Sequence, residues 1–193
     1  MSNFAKLGLE ENLLKAIQDM GFETPSEVQE KAIPILLEKD TDIVSLAQTG
    51  TGKTAAFGFP MLQKINIESR TTQGLILSPT RELCLQITNE IKNYGKYCKG
   101  LNVVAVYGGA SITDQARDIK KGAQIIVATP GRMKDMIGRR MIDISKIESE
   151  LTKVLYDDDI QRELLKNSEL FLKHYLYNHG FASKTIAKIL NDN

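Results

Sequence analysis

The segment Ala47-Gln48-Thr49-Gly50-Thr51-Gly52-Lys53-Thr54 constrains this chain more than any other. It fits the phosphate-loop pattern, with Ala at the place of the usual first Gly. Its flanks fit as well. The apolar run Ile43-Val44-Ser45-Leu46-Ala47 reads as a buried strand, and a helix is expected to begin near Gly52. Gly50 and Gly52 let the backbone turn its N–H groups toward phosphate oxygens with no side chain in the way. The helix N-terminus adds partial positive charge. Lys53 has the reach for β- and γ-phosphates, and the Thr54 hydroxyl suits Mg²⁺ carried by the nucleotide. A Gly/Thr-rich surface turn would share the glycines, but Lys53 and Thr54 between a strand and a helix favour the phosphate loop.

The rest of the chain repeats the same alternation. Strand-like runs recur at Gly74-Leu75-Ile76-Leu77-Ser78, Val103-Val104-Ala105-Val106-Tyr107 and Gln124-Ile125-Ile126-Val127-Ala128. Helical spacing appears at Leu13, Leu14 and Ile17, at Val28, Ala32 and Leu36, and over 81–98 and about 112–121. Almost wholly apolar strands separated by helices predict an α/β domain with a parallel sheet covered on both faces. A net charge of only +1 excludes a global basic field, so any nucleic-acid contact must come from local groups. No run is long or apolar enough to span a bilayer, and the first residues do not read as a signal peptide, so no membrane partner is expected. Cys84 and Cys98 fall on the stripe Cys84, Ile87, Ile91, Tyr94, Cys98, which predicts reduced core thiols and a cytoplasmic setting.

Four further segments stand in a telling order around the phosphate loop. Gly21-Phe22-Glu23-Thr24-Pro25-Ser26-Glu27-Val28-Gln29 precedes it, with Phe4 upstream. Pro79-Thr80-Arg81-Glu82-Leu83, Gly108-Gly109 and Thr129-Pro130-Gly131-Arg132 follow it, each at the end of a predicted strand. Together these resemble the Q motif and motifs I, Ia, GG and Ib of DEAD-box RNA helicases, over roughly the first three quarters of the chain. The resemblance implies a RecA-like P-loop NTPase domain that binds ATP and Mg²⁺. It implies that Gln29 and Phe22 hold adenine, and that 47–54 hold the phosphates. A glutamine amide carries the donor and acceptor that adenine's N6 and N7 require, although alone Gln29 reads as one polar residue on an amphipathic helix. The resemblance also implies that Pro79, Thr80, Arg81, Gly108, Gly109, Thr129 and Arg132 grip the backbone of single-stranded or structured RNA. Hydroxyls, glycine N–H groups and guanidinium are suitable phosphate donors that read no sequence. Taken singly, Thr80 and Thr129 also suit helix caps, and Gly108-Gly109 an ordinary turn.

The family's Asp-Glu-Ala-Asp tetrad does not occur in the sequence, so no catalytic set is intact. The nearest segment, Val154-Leu155-Tyr156-Asp157-Asp158-Asp159, has Tyr156 where the first Asp belongs. Its carboxylates read better as an acidic N-cap for a helix over about 160–177. Five of the twelve phenylalanines and tyrosines, and both histidines (His174 and His179), lie beyond residue 148, where strand-like runs cease. Two parts are therefore expected: an incomplete RecA-like ATP-binding domain over 1–148 and an atypical α-helical C-terminal tail over 149–193. The tail reads as foreign sequence, whether by frameshift, insertion or recombination. Its helix–Gly180–helix pattern reads as a small amphipathic hairpin rather than a DNA-reading helix-turn-helix. The resemblance implies the ATP- and RNA-binding part of a helicase, truncated and weakly active or inactive alone. The rivals are a non-enzymatic nucleotide- or RNA-binding module, a fragment that does not fold, and a chimera whose tail binds DNA.

Overall fold

The computed structural model describes residues 3–38, 43 and 50–142. Residues 44–47 of the strand expected over 43–47, the loop residues Gln48 and Thr49, and the readings made beyond residue 142 lie outside the described residues. The last group comprises the acidic cap at 157–159, the helix over 160–177, and the hairpin with His174 and His179.

A 3₁₀ turn at Asn3–Leu7 is followed by α1 (Glu11–Asp19), α2 (Glu27–Glu38) and α3 (Lys53–Lys64). A strict alternation comes next: β1 (Gly74–Leu77), α4 (Arg81–Tyr94), β2 (Val103–Val106), α5 (Ile112–Lys120), β3 (Ile125–Ala128) and α6 (Pro130–Gly138). The three apolar runs form a parallel sheet in the order β1-β3-β2 among the described residues. Leu77 and Val106 both pair with Ala128, so the three strands end at one level.

Both faces of the sheet are covered, as near-continuous apolar strands demand. Ile125 and Val127 face one way, into a core built with Leu13 and Ile17 of α1, Phe59 and Leu62 of α3, and Ile87 and Ile91 of α4. Ile126 and Ala128 face the other way, against Ala116 and Ile119 of α5 and Met133 and Met136 of α6. The period of two along β3 thus divides the molecule into three layers. Gly58 lets α3 approach α4 closely, since a Cβ there would lie 2.6 Å from Ile91 Cδ1 and 3.1 Å from Tyr94 Cδ2.

One predicted boundary moves. The helix expected over 81–98 ends at Tyr94, with Gly95 as its C-cap. The chain folds back so tightly that a Cβ on Gly95 would lie 2.3 Å from Leu101 Cδ2. Cys98 therefore sits in the following turn rather than on the helix, yet both thiols are buried and unpaired. Burial raises the pKa of Cys84 and of Cys98, which disfavours the reactive thiolate in each.

Two outcomes follow from this packing. Ile125→Ala, in the doubly paired strand, should cost about 2–5 kcal/mol in denaturant unfolding. Native Cys84 and Cys98 should react with iodoacetamide about tenfold more slowly at pH 8 than in urea, as counted by mass spectrometry.

Candidate functional site

The first group of site residues gathers where α2 meets the start of α3. Gly50 (φ 81°) and Gly52 (φ 77°) both adopt the left-handed region. Gly52 is the N-cap of α3 and offers no side-chain cap, and the first turn of α3 carries no acidic residue. In contrast, α4 has Thr80 accepting from Leu83 N at 3.2 Å and Glu82 in its first turn. Likewise α5 has Ser111 accepting from Asp114 N at 3.3 Å, with Asp114 itself in the first turn. An uncapped helix N-terminus behind two left-handed glycines, with half-buried Lys53 and Thr54 in its first turn, suits an anionic group. The residues present therefore fit a nucleotide phosphate.

Gln29 is only 6% exposed, and its amide is fixed from two sides. Oε1 accepts from Ser26 N at 2.9 Å, and Nε2 donates to Gly52 O at 3.1 Å. Ser26 Oγ donates to Thr51 O at 2.8 Å, so Gln29 of α2 and Ser26 just before it hold two successive carbonyls of the loop. A Cβ on Gly52 would lie 2.3 Å from Gln29 Nε2, so only glycine admits this contact. The network also decides which end of the amide is oxygen, and leaves one N–H and one lone pair for another partner. The sequence reading quoted Ser26 within the segment Gly21–Gln29 but gave it no role, although Ser26-x-x-Gln29 has the form of a capping box. Gln29 supplies the backward half of that box, while the Ser26 hydroxyl turns to the phosphate loop instead. Phe22 is exposed, with its ring stacked 6.5 Å from buried Phe4, which meets Phe59 edge-on at 6.4 Å.

The second group lies along the C-terminal rim of the sheet. Because the strands end together, Pro79, Thr80 and Arg81 after β1, Gly108 and Gly109 after β2, and Thr129 after β3 emerge side by side. Thr80, Arg81, Gly108 and Gly109 are exposed, while Thr129 and Arg132 are half-buried. Arg81 places its guanidinium 4.9 Å from the centroid of the Tyr107 ring. Gly109 (φ 85°) sits beneath it, where a Cβ would lie 3.2 Å from Arg81 Nη1.

The segment after β3 is helical. Pro130-Gly131-Arg132 forms the first turn of α6, because proline at the first helical position presets φ and lacks only an N–H the helix would not use. Thr129 is its N-cap but makes no side-chain cap bond, and the first turn carries no acid. Arg132 is already engaged: Nη1 and Nη2 donate to Ala110 O at 3.0 and 3.1 Å, and Nη1 also to Gln115 Oε1 at 3.2 Å. Among the described residues, no three His, Cys, Asp or Glu side chains gather as a cation site. No helix among them is long and apolar enough to cross a membrane.

The DEAD/DEAH box helicase family model matches residues 26–158. The chain is 43% identical over 175 residues to an ATP-dependent RNA helicase DeaD of Mycobacterium tuberculosis, covering 87% of this chain but 31% of the relative. It thus spans about a third of that relative's length. Its structure resembles that of a DEAD box protein from Methanococcus jannaschii, with TM-score 0.73 and 35% identity, covering 86% of this chain and 47% of the other. It also resembles S. cerevisiae Dbp5 bound to RNA and ADP BeF3, with TM-score 0.71 and 28% identity, covering 100% of this chain and 50% of the other.

The glycines give a direct check. Gly50→Ala, with nothing within 4 Å of its new Cβ, should cost about 1 kcal/mol, the strain of a left-handed alanine. Gly52→Ala bears the same strain and also breaks the Gln29 contact, so it should cost about 1–2 kcal/mol more in denaturant unfolding.

Proposed function

This chain belongs to the DEAD/DEAH box helicase family, and we propose that it binds ATP with Mg²⁺ at the start of α3 and the RNA backbone along the sheet rim. One observation carries the reading. Among the described α-helices, α3 and α6 alone lack both a side-chain cap and an acid in the first turn, and each opens from one of the two groups of site residues. Helix N-termini left this way favour phosphate oxygens.

At the first site, Gly50, Thr51 and Gly52 would cradle phosphate with backbone N–H groups, and Lys53 would neutralise charge. Ala47, Gln48 and Thr49 would complete the loop. The Thr54 hydroxyl would ligate Mg²⁺, and the remaining donor and acceptor of Gln29 would meet adenine's N6 and N7, with Phe22 on the ring. Bound ATP–Mg²⁺ would supply an anion at the α3 terminus and the phosphoryl group that the family transfers to water. At the second site, Pro79, Thr80, Arg81, Gly108, Gly109, Thr129 and Arg132 would line a path for consecutive phosphates, reading no base. The M. tuberculosis relative's name and the RNA and ADP BeF3 bound to the S. cerevisiae protein support both assignments.

With no Asp-Glu-Ala-Asp tetrad in the sequence, no carboxylate is assigned to position Mg²⁺ through water or to orient attacking water. This chain alone is therefore proposed to bind nucleotide and RNA with little or no turnover or unwinding, which merges with the reading of a non-enzymatic binding module. Two unpaired buried thiols support a cytoplasmic setting.

Calorimetric titration with ADP–Mg²⁺ should give saturable binding that weakens at least about tenfold in Lys53→Ala, the scale of one lost charge-assisted contact. Silence from both proteins would sink the nucleotide reading. RNA-stimulated phosphate release by the wild-type chain would refute the claim of negligible turnover.

A further inference from the structure

Gln115 belongs to none of the segments assigned above, yet it joins two of them. It lies on the inward face of α5, three residues after Ile112 and four before Ile119, and is 7% exposed. Its Nε2 donates to Tyr107 O at 3.0 Å, and its Oε1 accepts from Arg132 Nη1 at 3.2 Å. Arg132 in turn donates from both terminal nitrogens to Ala110 O. The turn from Tyr107 to Ala110 is thus held by its first carbonyl from α5 and by its last carbonyl from α6. Gln115 ties the two holders together.

Between those carbonyls stand only Gly108 and Gly109, both exposed and neither with a side chain to fix the turn. Glycines cost the most conformational entropy to order, so this backbone depends on outside support. Three of Arg132's five N–H groups go to this scaffold, leaving Nε–H and one Nη2–H for another acceptor.

We infer that Gln115 is a positioning residue for RNA: it locks the Gly108-Gly109 turn to Arg132 and the α6 N-terminus, so that both present their donors to adjacent phosphates at a fixed spacing. The inference rests on the RNA reading above. Gln115 itself touches no phosphate. Its removal should lower RNA affinity without changing the number of ionic contacts, because the lost order is in neutral backbone and in the aim of a retained arginine.

The test is fluorescence anisotropy of a labelled short oligouridine with the full chain, across a salt series. Gln115→Met keeps the volume and removes both hydrogen bonds. It should weaken RNA binding about tenfold, leave ADP–Mg²⁺ affinity unchanged, and leave the slope of log K against log salt unchanged. Arg81→Gln, at a proposed phosphate contact, should instead reduce the magnitude of that slope by about 0.7. In an Arg132→Lys background, Gln115→Met should cost little further, since the two act through one turn. Gln115→Ala also removes both hydrogen bonds, should weaken RNA binding to a similar extent, and serves if the methionine variant folds poorly. Wild-type RNA affinity in Gln115→Met, or fully additive losses with Arg132→Lys, would overturn the positioning role alone. A wild-type chain that ignores RNA at low salt would overturn the RNA reading and this inference with it.

Discussion

The pairing of β3 on both sides is the constraint on which the rest depends. Every residue from Ile125 to Ala128 is fully buried, and each is matched in register by β1 and by β2. Slipping the strand by one residue would exchange Ile125 and Val127 with Ile126 and Ala128 between two differently shaped cores. The fixed register sets the rim as well. Since Leu77, Val106 and Ala128 stand abreast, the three loops that follow must leave the sheet together. That common exit is a by-product of core packing, and open α/β sheets generally place ligands beyond their strand ends.

A second regularity concerns buried glutamines. Gln29, Gln115 and Gln124 are all at most 7% exposed, and each joins separate segments, Gln29 and Gln124 through backbone groups alone and Gln115 through the Tyr107 carbonyl and the Arg132 guanidinium. Gln124 accepts from Asn102 N and donates to Ile67 O and Ser69 O, Gln29 joins α2 to the phosphate loop, and Gln115 joins α5 to the rim. A neutral amide has donors and an acceptor on a long stem, so it can tie loops without burying a charge. Around such fixed loops, α3 and α6 keep uncapped N-termini that a carboxylate would otherwise have occupied.

Much of this was legible from residue types. The three apolar runs became β1, β2 and β3 within one residue of their expected ends, because a fully buried parallel strand writes itself as unbroken Ile, Val, Leu and Ala. The turn glycines Gly50 and Gly52 were legible as such, but not the bond from Gln29 to Gly52, which joins residues 23 apart through a carbonyl that no side chain advertises. Gln115 left only a faint trace, a polar residue on the apolar stripe of Ile112, Ala116 and Ile119. The early stop of α4 was hidden for a similar reason: Gly95 ends the helix where Leu101 returns against it, a tertiary contact with no local pattern.

The stacking of Arg81 over Tyr107 carries a consequence for solvent. A guanidinium is weakly hydrated to begin with, and here one of its faces is covered by an aromatic ring and its edge runs close above Gly109. Folding has therefore already removed part of the water shell and side-chain freedom that an exposed arginine would surrender on meeting an anion. Arg81 is otherwise exposed. An anion arriving there exchanges fewer waters and orders fewer torsions than it would at a free surface arginine, so the entropy of the encounter is set in advance by one tyrosine.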